Sequence, residues 1–233
     1  MAETARPPSV FDRAFLTDAE DVTELLLIRH GQQVIDPNAA VSELFDPPLS
    51  EQGRLQAKLL GEAYSTKHID AIVSSPLQRA HETALALASH HNLSVTVVKD
   101  LREVEIFRDV PSEKKLSDFL GVEMLKAVRH RMLEERSWDV YPYSESSQEF
   151  RKRAINAIEA TIATHPTGRV AVVCHGGVIN AYLSHIVRSP LDMFFRPAHT
   201  AVSIALAGAG RRVLSSLNDV SHLTTTEGHF GSY

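Results

Sequence analysis

Three groups of polar residues stand directly after short apolar runs of the sequence. These groups are Arg29-His30-Gly31, Ser74-Ser75-Pro76 with Arg79 shortly beyond, and His175-Gly176-Gly177. In open α/β sheets, ligands bind beyond the carboxyl ends of the strands, so residues that follow parallel strands meet at one edge of the sheet. If each apolar run is a strand, two histidines and two arginines converge at a single site.

The residue types at these strand ends suit a doubly charged anion. The guanidiniums of Arg29 and Arg79 can each donate two parallel hydrogen bonds to a phosphoryl group. Gly31 and Gly176 permit close approach of the backbone, and a helix that begins near Gly176 offers N–H groups to an anion. A lone histidine after a strand is more often a structural residue, but the joint pattern at three strand ends favours a phosphoryl-binding site.

The elements that would position these residues follow from hydrophobic periodicity. Apolar runs predict strands at residues 24–28, 70–74, 95–98, 170–174, 201–206 and 211–217. Helices are predicted between them: one capped by Ser50 that ends near Tyr64, one that opens at Ser75-Pro76 and ends near His90, one that begins at the Ser146/Glu149 capping box, and one from Gly176 to Val187. This alternation predicts an α/β fold, with a mainly parallel sheet sandwiched between helices.

Residues 104–145 interrupt the alternation of strands and helices. They are polar, they have a helical pattern around residues 116–135, and they end in a loop with Trp138, Tyr141 and Tyr143. We interpret them as a helical cap inserted into a domain of residues 24–220, with an N-terminal arm at 1–23 and a C-terminal tail at 221–233. The aromatic residues of the loop fit a lid and a structural role equally well.

Composition and charge argue against several classes of function. The 233 residues include 24 Lys+Arg and 29 Asp+Glu, and the resulting formal net charge of −5 does not suggest nucleic-acid binding. The apolar runs fall far short of the ~20 residues of a membrane-spanning helix, so we expect no membrane partner. The single cysteine, Cys174, fits a reducing cytoplasm and a place in the core. No His-Glu-x-x-His or Cys-x-x-Cys spacing occurs, so we expect no metal and no cofactor.

The motifs around these residues resemble those of the histidine phosphatase superfamily, which includes the cofactor-dependent phosphoglycerate mutases, the fructose-2,6-bisphosphatases and broad-specificity phosphatases. The resemblance is carried by Leu-Ile-Arg29-His30-Gly31, by Ser74-Ser75-Pro76-Leu-Gln-Arg79-Ala80-x-x-Thr83-Ala84 and by Val-Cys-His175-Gly176-Gly177. The segment Asp46-Pro-Pro-Leu49-Ser50-x-x-Gly53 is also similar to the family's sequence between the first two motifs. The resemblance covers residues 24–217.

The resemblance implies roles for single residues. His30 would be the nucleophile that takes the phosphoryl group on a ring nitrogen, and His175 would stand against the phosphoryl oxygens as a second catalytic histidine. Glu103, in the segment Leu101-Arg102-Glu103, would donate a proton to the leaving group. Substrate binding would fall to Arg29, Arg79, Gly31, Gly176 and Gln33.

Two departures from the family pattern leave alternatives open. Family members often carry Thr and Asn at the positions of Gln33 and Asp36. A carboxylate at position 36 would repel phosphate, so we expect Asp36 to turn away and Gln33 or Asn38 to donate instead. The family's Gly-x-Trp-Glu-Gly segment after the proton donor is missing, so Glu105 competes with Glu103 for that role.

The sequence therefore predicts a metal-independent phosphomonoester phosphatase that acts on a phosphorylated small molecule through a phosphohistidine at His30. A phosphoglycerate mutase-type phosphotransferase is the first alternative, disfavoured by the missing segment and the lack of a further basic cluster. A catalytically silent phospholigand-binding protein is the second, disfavoured by the complete set of catalytic residue types. His199 could reach the same edge of the sheet, but we favour a place outside the site. The sequence does not identify the substrate, and it does not decide whether the protein forms a homodimer.

Overall fold

A central sheet with helices on both faces forms the protein. The computed structural model describes residues 9–17, 21–36, 39–225, 228–229 and 231. The elements in chain order are α1 (Val10–Phe15), β1 (Thr23–Arg29), α2 (Val41–Phe45), α3 (Glu51–Tyr64), β2 (Ala71–Ser74), α4 (Gln78–Ala88), β3 (Val95–Val97), α5 (Leu116–Leu120), α6 (Val122–Glu135), α7 (Ser147–Thr164), β4 (Arg169–Cys174), α8 (Gly176–Val187), β5 (Val202–Gly208), β6 (Arg211–Asp219), β7 (Thr224–Thr225) and β8 (Gly228–His229). Short 3₁₀ turns occur at Lys99–Leu101, Trp138–Val140 and Ser221–Leu223.

The sheet has six strands in the order β3-β2-β4-β1-β5-β6. The first four are parallel, because β4 pairs in parallel with both β1 and β2, and β2 pairs in parallel with β3. At the other edge, β5 runs antiparallel to β1, and β6 runs antiparallel to β5. The predicted α/β class with a mainly parallel sheet is confirmed.

Alternate residues of β1 face the two helical layers. Leu25 and Leu27 pack into a cluster with α7 and α8, and Leu26 and Ile28 pack into another with α3 and α4. All four are fully buried, as expected for a strand covered on both faces. Cys174 belongs to the α7–α8 cluster, and burial raises the pKa of its thiol. It is a core residue, as predicted.

Most helix starts follow the local signals of the sequence, but α4 does not. Ser50 Oγ accepts the N–H of Gly53 at 3.0 Å, and Ser146 forms the predicted capping box. The start predicted at Ser75-Pro76 is wrong, because α4 begins at Gln78. Its first N–H, from Gln78, is accepted by Asp46 Oδ1 at 2.7 Å.

Residues 104–145 contain two helices, where the sequence indicated one helical pattern. Gly121 separates α5 from α6 and has φ of +77°, a conformation that favours glycine. A small apolar cluster built on Val41, Phe107 and Val110 attaches this region to α2. Tyr141 packs edge-on against Phe107, with 5.5 Å between ring centroids. This contact places the loop tyrosine in the packing of the cap.

Parts of the predicted arm and tail are ordered elements. The helix α1 is capped by Ser9, and Arg211 Nη1 donates to the carbonyl of Arg13 at 2.7 Å, which attaches α1 to β6. In the tail, Leu223 is buried and β7 pairs with β8. Residues 1–8 of the arm lie outside the described residues. None of the helices in the described ranges has the length and apolar character required to cross a membrane.

Candidate active site

The three predicted strand ends lie side by side, because β2, β4 and β1 are neighbours in the sheet. His30 follows β1, His175 follows β4 and Ser75 follows β2. The centroids of the two imidazole rings are 5.1 Å apart, and Ser75 Oγ lies 2.7 Å from His175 Nε2. The structure thus brings the polar residues of the three motifs to one edge of the sheet.

His30 is held in a single tautomer. Its Nδ1 lies 2.7 Å from the carbonyl oxygen of Gly31, and because a carbonyl only accepts, Nδ1 carries the hydrogen. Nε2 is left with a lone pair, which accepts a hydrogen bond from Arg79 Nε at 3.3 Å. The residue is 2% exposed. Burial, reinforced by Arg79 and Arg29, holds the pKa of His30 well below its usual value, so the imidazole is neutral and Nε2 is nucleophilic.

Two guanidiniums are fixed beside this imidazole by backbone carbonyls. Arg79, in the first turn of α4, donates through Nη1 to Phe45 O at 3.2 Å. Arg29, the last residue of β1, donates through Nη1 to Pro197 O at 2.6 Å. Burial lowers the pKa of Arg29 to about 10, which leaves it charged at neutral pH, and also lowers that of Arg79. The site therefore keeps two positive charges in fixed orientations.

Two buried nitrogen atoms beside His30 have no hydrogen-bond partner among the described residues: Arg29 Nε and His175 Nδ1. Ser75 Oγ accepts the N–H of Leu77, so its own hydrogen is available to His175 Nε2. With Nε2 accepting, the neutral ring of His175 carries its hydrogen on Nδ1, and burial holds its pKa well below the usual value. A buried unpaired donor costs about 1–3 kcal/mol, so these two atoms mark a place for an anion.

Glu103 is fixed by the start of α8 as well as by its own loop. Its Oε2 accepts the N–H of Gly177 at 3.1 Å, and its Oε1 accepts that of Val104 at 3.0 Å. The competing carboxylate, Glu105, accepts from Arg102 Nε at 3.1 Å in an ion pair. Of the two predicted donors, Glu103 thus lies against the helix that follows His175, and Glu105 is occupied by an arginine.

Arg153 holds the loop that carries Glu103, and the sequence did not indicate it. Nη1 donates to the carbonyls of Asp100 and Arg102 at 2.9 and 2.7 Å, and Nη2 donates to that of Glu103 at 2.9 Å. The same guanidinium pairs with Glu145 at 2.6 and 2.7 Å. Its backbone partners lie 50 to 53 residues away in the chain, so no local pattern could reveal this role.

Gly31 was predicted to bind substrate, but its contacts point to packing. A Cβ at this position would lie 2.5 Å from the carbonyl oxygen of Gly53 in α3. Its N–H donates to Thr83 Oγ1 at 3.1 Å. The glycine is therefore required for the close approach of the loop after β1 to α3, and its N–H is already occupied.

His199 lies inside the site, contrary to our expectation. Its ring centroid is 6.0 Å from that of His30, and the residue is buried. The reason is topological: β5 is the antiparallel neighbour of β1, so residues that enter β5 lie at the edge where β1 ends. The sequence predicts β5 but does not say which strand it adjoins.

Two adjoining open chambers lie next to these residues. The His30 chamber has a volume of about 300 Å³ and includes His30, Arg79 and Gln33 among its lining residues. The Met132 chamber, with Gly176 in its wall, has a volume of about 560 Å³. Both chambers are lined in part by Arg29, Glu103 and Trp138, which places these three residues where the chambers join.

The remaining predicted positions lie near the cleft or outside the described residues. Asp36 lines a neighbouring depression beside Gln33, not the His30 chamber. Asn38, the alternative donor, is outside the described residues. In the part of the chain that the structure describes, no group of three or more His, Cys, Asp or Glu side chains is placed to hold a metal ion.

Comparison with known proteins identifies the family of this chain. Residues 25–220 match the histidine phosphatase superfamily (branch 1). Phosphoserine phosphatase 1 of Hydrogenobacter thermophilus is 30% identical, over 87% of this chain and 95% of that protein. The metal-independent phosphoserine phosphatase of Arabidopsis thaliana is 28% identical, over 88% and 85% of the two chains.

One solved structure superposes on most of this chain. YhfR of Bacillus stearothermophilus superposes with a TM-score of 0.72 at 25% identity, over 86% of this chain and 98% of that one. The match to the family covers both histidine motifs, both arginines and Glu103. The chain belongs to branch 1 of the histidine phosphatase superfamily, and it is a phosphatase.

Proposed function

We propose that this phosphatase hydrolyses phosphate monoesters of small alcohols through a phosphohistidine at His30, without a metal ion. The observation that carries the proposal is the neutral Nε2 of His30, which faces Arg79 and lies beside two buried nitrogens, on Arg29 and His175, that lack partners among the described residues. The relatives named phosphoserine phosphatases support a phosphate monoester as the substrate class.

In the first half-reaction, His30 Nε2 attacks the phosphorus atom. The new N–P bond forms as the P–O bond to the alcohol breaks, and Glu103 in its protonated form gives its proton to the departing oxygen. Arg29, Arg79 and the Nδ1–H of His175 donate to the three phosphoryl oxygens. Phosphoryl transfer depends mainly on positioning and charge stabilisation, so two guanidiniums and a ring N–H can supply what a metal supplies elsewhere.

In the second half-reaction, water attacks the phosphorus atom of phospho-His30. Glu103, now a carboxylate, accepts a proton from the water as the new P–O bond forms and the N–P bond breaks. The products are inorganic phosphate, neutral His30 and protonated Glu103, so the cycle closes. The position of Glu103 at the junction of the two chambers serves both steps, because the alcohol leaves and the water enters on the same side.

A phosphoglycerate mutase activity receives less support from the cleft. A mutase must rebind a polar product that returns to the phosphohistidine. The Met132 chamber, where such a product would sit, has a largely apolar surface to which methionine, leucine and aromatic side chains contribute. Incubation with 2-phosphoglycerate and 3-phosphoglycerate followed by product analysis separates the two activities, since a mutase interconverts them and a phosphatase releases glycerate.

Trapping of the phosphoenzyme tests the proposal directly. After a rapid quench with a ³²P-labelled aryl phosphate, the protein should carry a label that survives alkali and is lost in acid. His30→Ala should abolish both the label and turnover. The matched control is His130→Ala, on the exposed face of α6, which should label as the parent does. Label on the His30→Ala protein would refute the assigned nucleophile.

Chelation tests the metal-independent part of the proposal. Incubation with excess EDTA followed by gel filtration should leave the rate of phosphate release unchanged, because the positive charges at the site belong to Arg29 and Arg79. A loss of activity that Mg²⁺ or Zn²⁺ restores would overturn this part alone.

A further inference from the structure

The surface of the Met132 chamber is largely apolar, although the chamber also holds charged residues. Seven of its lining residues are nonpolar and larger than glycine: Met132, Leu133, Trp138, Met193, Phe194, Phe195 and Pro197. Phe194 and Phe195 pack against each other with 4.8 Å between centroids and rest on the α7–α8 core cluster. A volume of about 560 Å³ lies within the range of small-molecule sites, which spans roughly 300–1,000 Å³.

Four charged residues line this chamber: Arg29, Glu103, Arg136 and Arg196. Arg29 and Glu103 mark the junction with the His30 chamber, where the ester oxygen would lie. Arg136 and Arg196 are exposed to solvent. Among the described residues that line the chamber, Glu103 is the only carboxylate. An amino-acid alcohol such as serine would bring an ammonium group whose only carboxylate partner here is the proton donor itself.

We propose that the natural substrates are phosphate monoesters of alcohols with an extended apolar body, alkyl or aryl, which occupies the Met132 chamber while the phosphoryl group occupies the His30 chamber. The inference rests on the proposed phosphatase function and adds the class of leaving group. It separates this chain from its relatives named for phosphoserine, whose polar alcohol would leave the nonpolar wall in contact with water.

A buried carboxylate keeps this wall in place. Asp192 Oδ2 accepts the backbone N–H of Trp138 at 3.0 Å and the hydroxyls of Ser137 and Ser147 at 2.8 and 2.6 Å. Arg151 donates to its other oxygen at 3.1 Å. Trp138, in contact with both chambers, is therefore fixed to the segment that carries Met193, Phe194 and Phe195. A preformed wall of this kind binds apolar groups without a cost for ordering it.

Binding of alkylphosphonates tests the inference without turnover, since their C–P bond is not hydrolysed. Trp138 is the only tryptophan of the chain, so its fluorescence reports on the junction of the chambers. Affinity should rise about three- to fourfold per methylene from methyl- to butyl- to octylphosphonate, the factor expected for a buried CH₂. Equal affinities along the series would overturn the inference.

Two matched substitutions on α6 test whether the dependence of affinity on chain length comes from the Met132 chamber. Met132→Gln keeps the size of the side chain but makes the wall polar, and it should flatten the dependence on chain length. Met124→Gln changes a residue of the same helix that is 50% exposed and lies against a different depression, and it should leave the dependence intact. Leu133→Gln, at a residue that is 78% exposed, alters the same wall with little effect on folding. Equal behaviour of the Met132 and Met124 variants would contradict the proposal.

Turnover distinguishes failure of this inference from failure of the phosphatase mechanism. Phosphate release should show a higher kcat/KM for octyl phosphate, below its micellar concentration, than for phosphoserine. Comparable kcat/KM values for the two esters would contradict the inference about the leaving group and leave the phosphatase function intact. Tight binding of octylphosphonate with no phosphate release from any ester would refute the proposed mechanism and retain the binding site.

Discussion

Arg79 donates through Nε to Nε2 of His30 at 3.3 Å, so the lone pair assigned to the attack on phosphorus is already held by a guanidinium. The same arginine is anchored by Phe45 O and lies 4.0 Å from Asp46, whose carboxylate also caps α4. In the proposed mechanism, a phosphoryl group that enters between the two side chains takes over the donor of Arg79 and frees Nε2. The proposal therefore couples binding of the substrate to activation of the nucleophile through one contact.

Two replacements of Arg79 should distinguish the contribution of its charge from that of its planar shape. Arg79→Ala should lower kcat by about 10²–10³, the usual cost of removing one fixed donor from developing charge. It should also weaken inhibition by orthovanadate. Arg79→Lys should recover only part of both losses, because an ammonium group lacks the planar fork. Vanadate inhibition unchanged in the alanine variant would place Arg79 outside the phosphoryl site.

Two substitutions by glutamine decide whether Glu103 or Glu105 is the proton donor. Glu103→Gln should lower the rate on alkyl phosphates by about 10²–10⁴, the usual range for general acid catalysis. The loss on 4-nitrophenyl phosphate should be smaller as long as transfer to His30 limits the rate, since nitrophenolate leaves without a proton. Glu105→Gln, which breaks only the pair with Arg102, should have a much weaker effect. The reverse pattern would assign the role to Glu105.

We expect Arg153 to act on catalysis through the loop of Glu103, and its loss should then affect the two classes of substrate differently. Arg153→Ala removes the donor to three carbonyls of residues 100–103, so the rate on alkyl phosphates should fall more than the rate on 4-nitrophenyl phosphate. Arg153→Lys should recover part of the alkyl rate. An equal loss on both substrates would assign Arg153 a purely structural role.

Arg153→Ala should also lower the free energy of unfolding. The pair of Arg153 and Glu145 is largely buried, and breaking a buried pair from one side costs about 3–5 kcal/mol. The pair of Arg131 and Glu135 on α6 is about half exposed, and exposed pairs contribute little to stability. Urea unfolding of Arg153→Ala and Arg131→Ala should reproduce this difference.

The elements that the sequence predicts well are those set by neighbouring residues. The burial of β1 and the caps at Ser50 and Ser146 depend on a few consecutive positions, and they lie where the pattern places them. The convergence of His30 and His175 follows from one further rule, that parallel strands end at the same edge. Short stretches of sequence and this one rule of sheet geometry therefore predict the edge of the sheet that carries the site, while the close approach of the two histidines depends on the pairing of β1 with β4.

The features that the sequence missed all depend on distant contacts. Ser75 lies before the start of α4 and its hydroxyl bonds to His175, one hundred residues away, while Asp46 accepts the first N–H of the helix from another loop. His199 enters the site because β5 pairs with β1. Arg153, on α7, donates to the carbonyl of Glu103, fifty residues away. Each of these three features depends on which helices, strands and loops become neighbours in the fold. The periodicity of the sequence does not encode this information.

Gly177 offers a test of the proton donor that leaves its carboxyl group in the protein. A Cβ at position 177 would lie 2.3 Å from Glu103 Oε1 and 3.1 Å from the ring of Phe150, so the carboxylate must move. A Cβ at Gly176 would have its nearest contact at 3.7 Å, an ordinary van der Waals distance.

The two alanine variants should therefore differ sharply although they are adjacent in α8. Alanine is a better helix former than glycine, so Gly176→Ala should fold about as well as the parent. Its Cβ would lie 3.7 Å from Arg29 Nε and would not displace Glu103, so this variant should not lose the alkyl rate selectively. Gly177→Ala should lose activity chiefly on alkyl phosphates, the substrates that need a proton from Glu103. Thermal unfolding and kcat on the two substrate classes measure both effects. If Gly177→Ala lost the alkyl and aryl rates equally, or kept both, the displaced carboxylate would not be the donor.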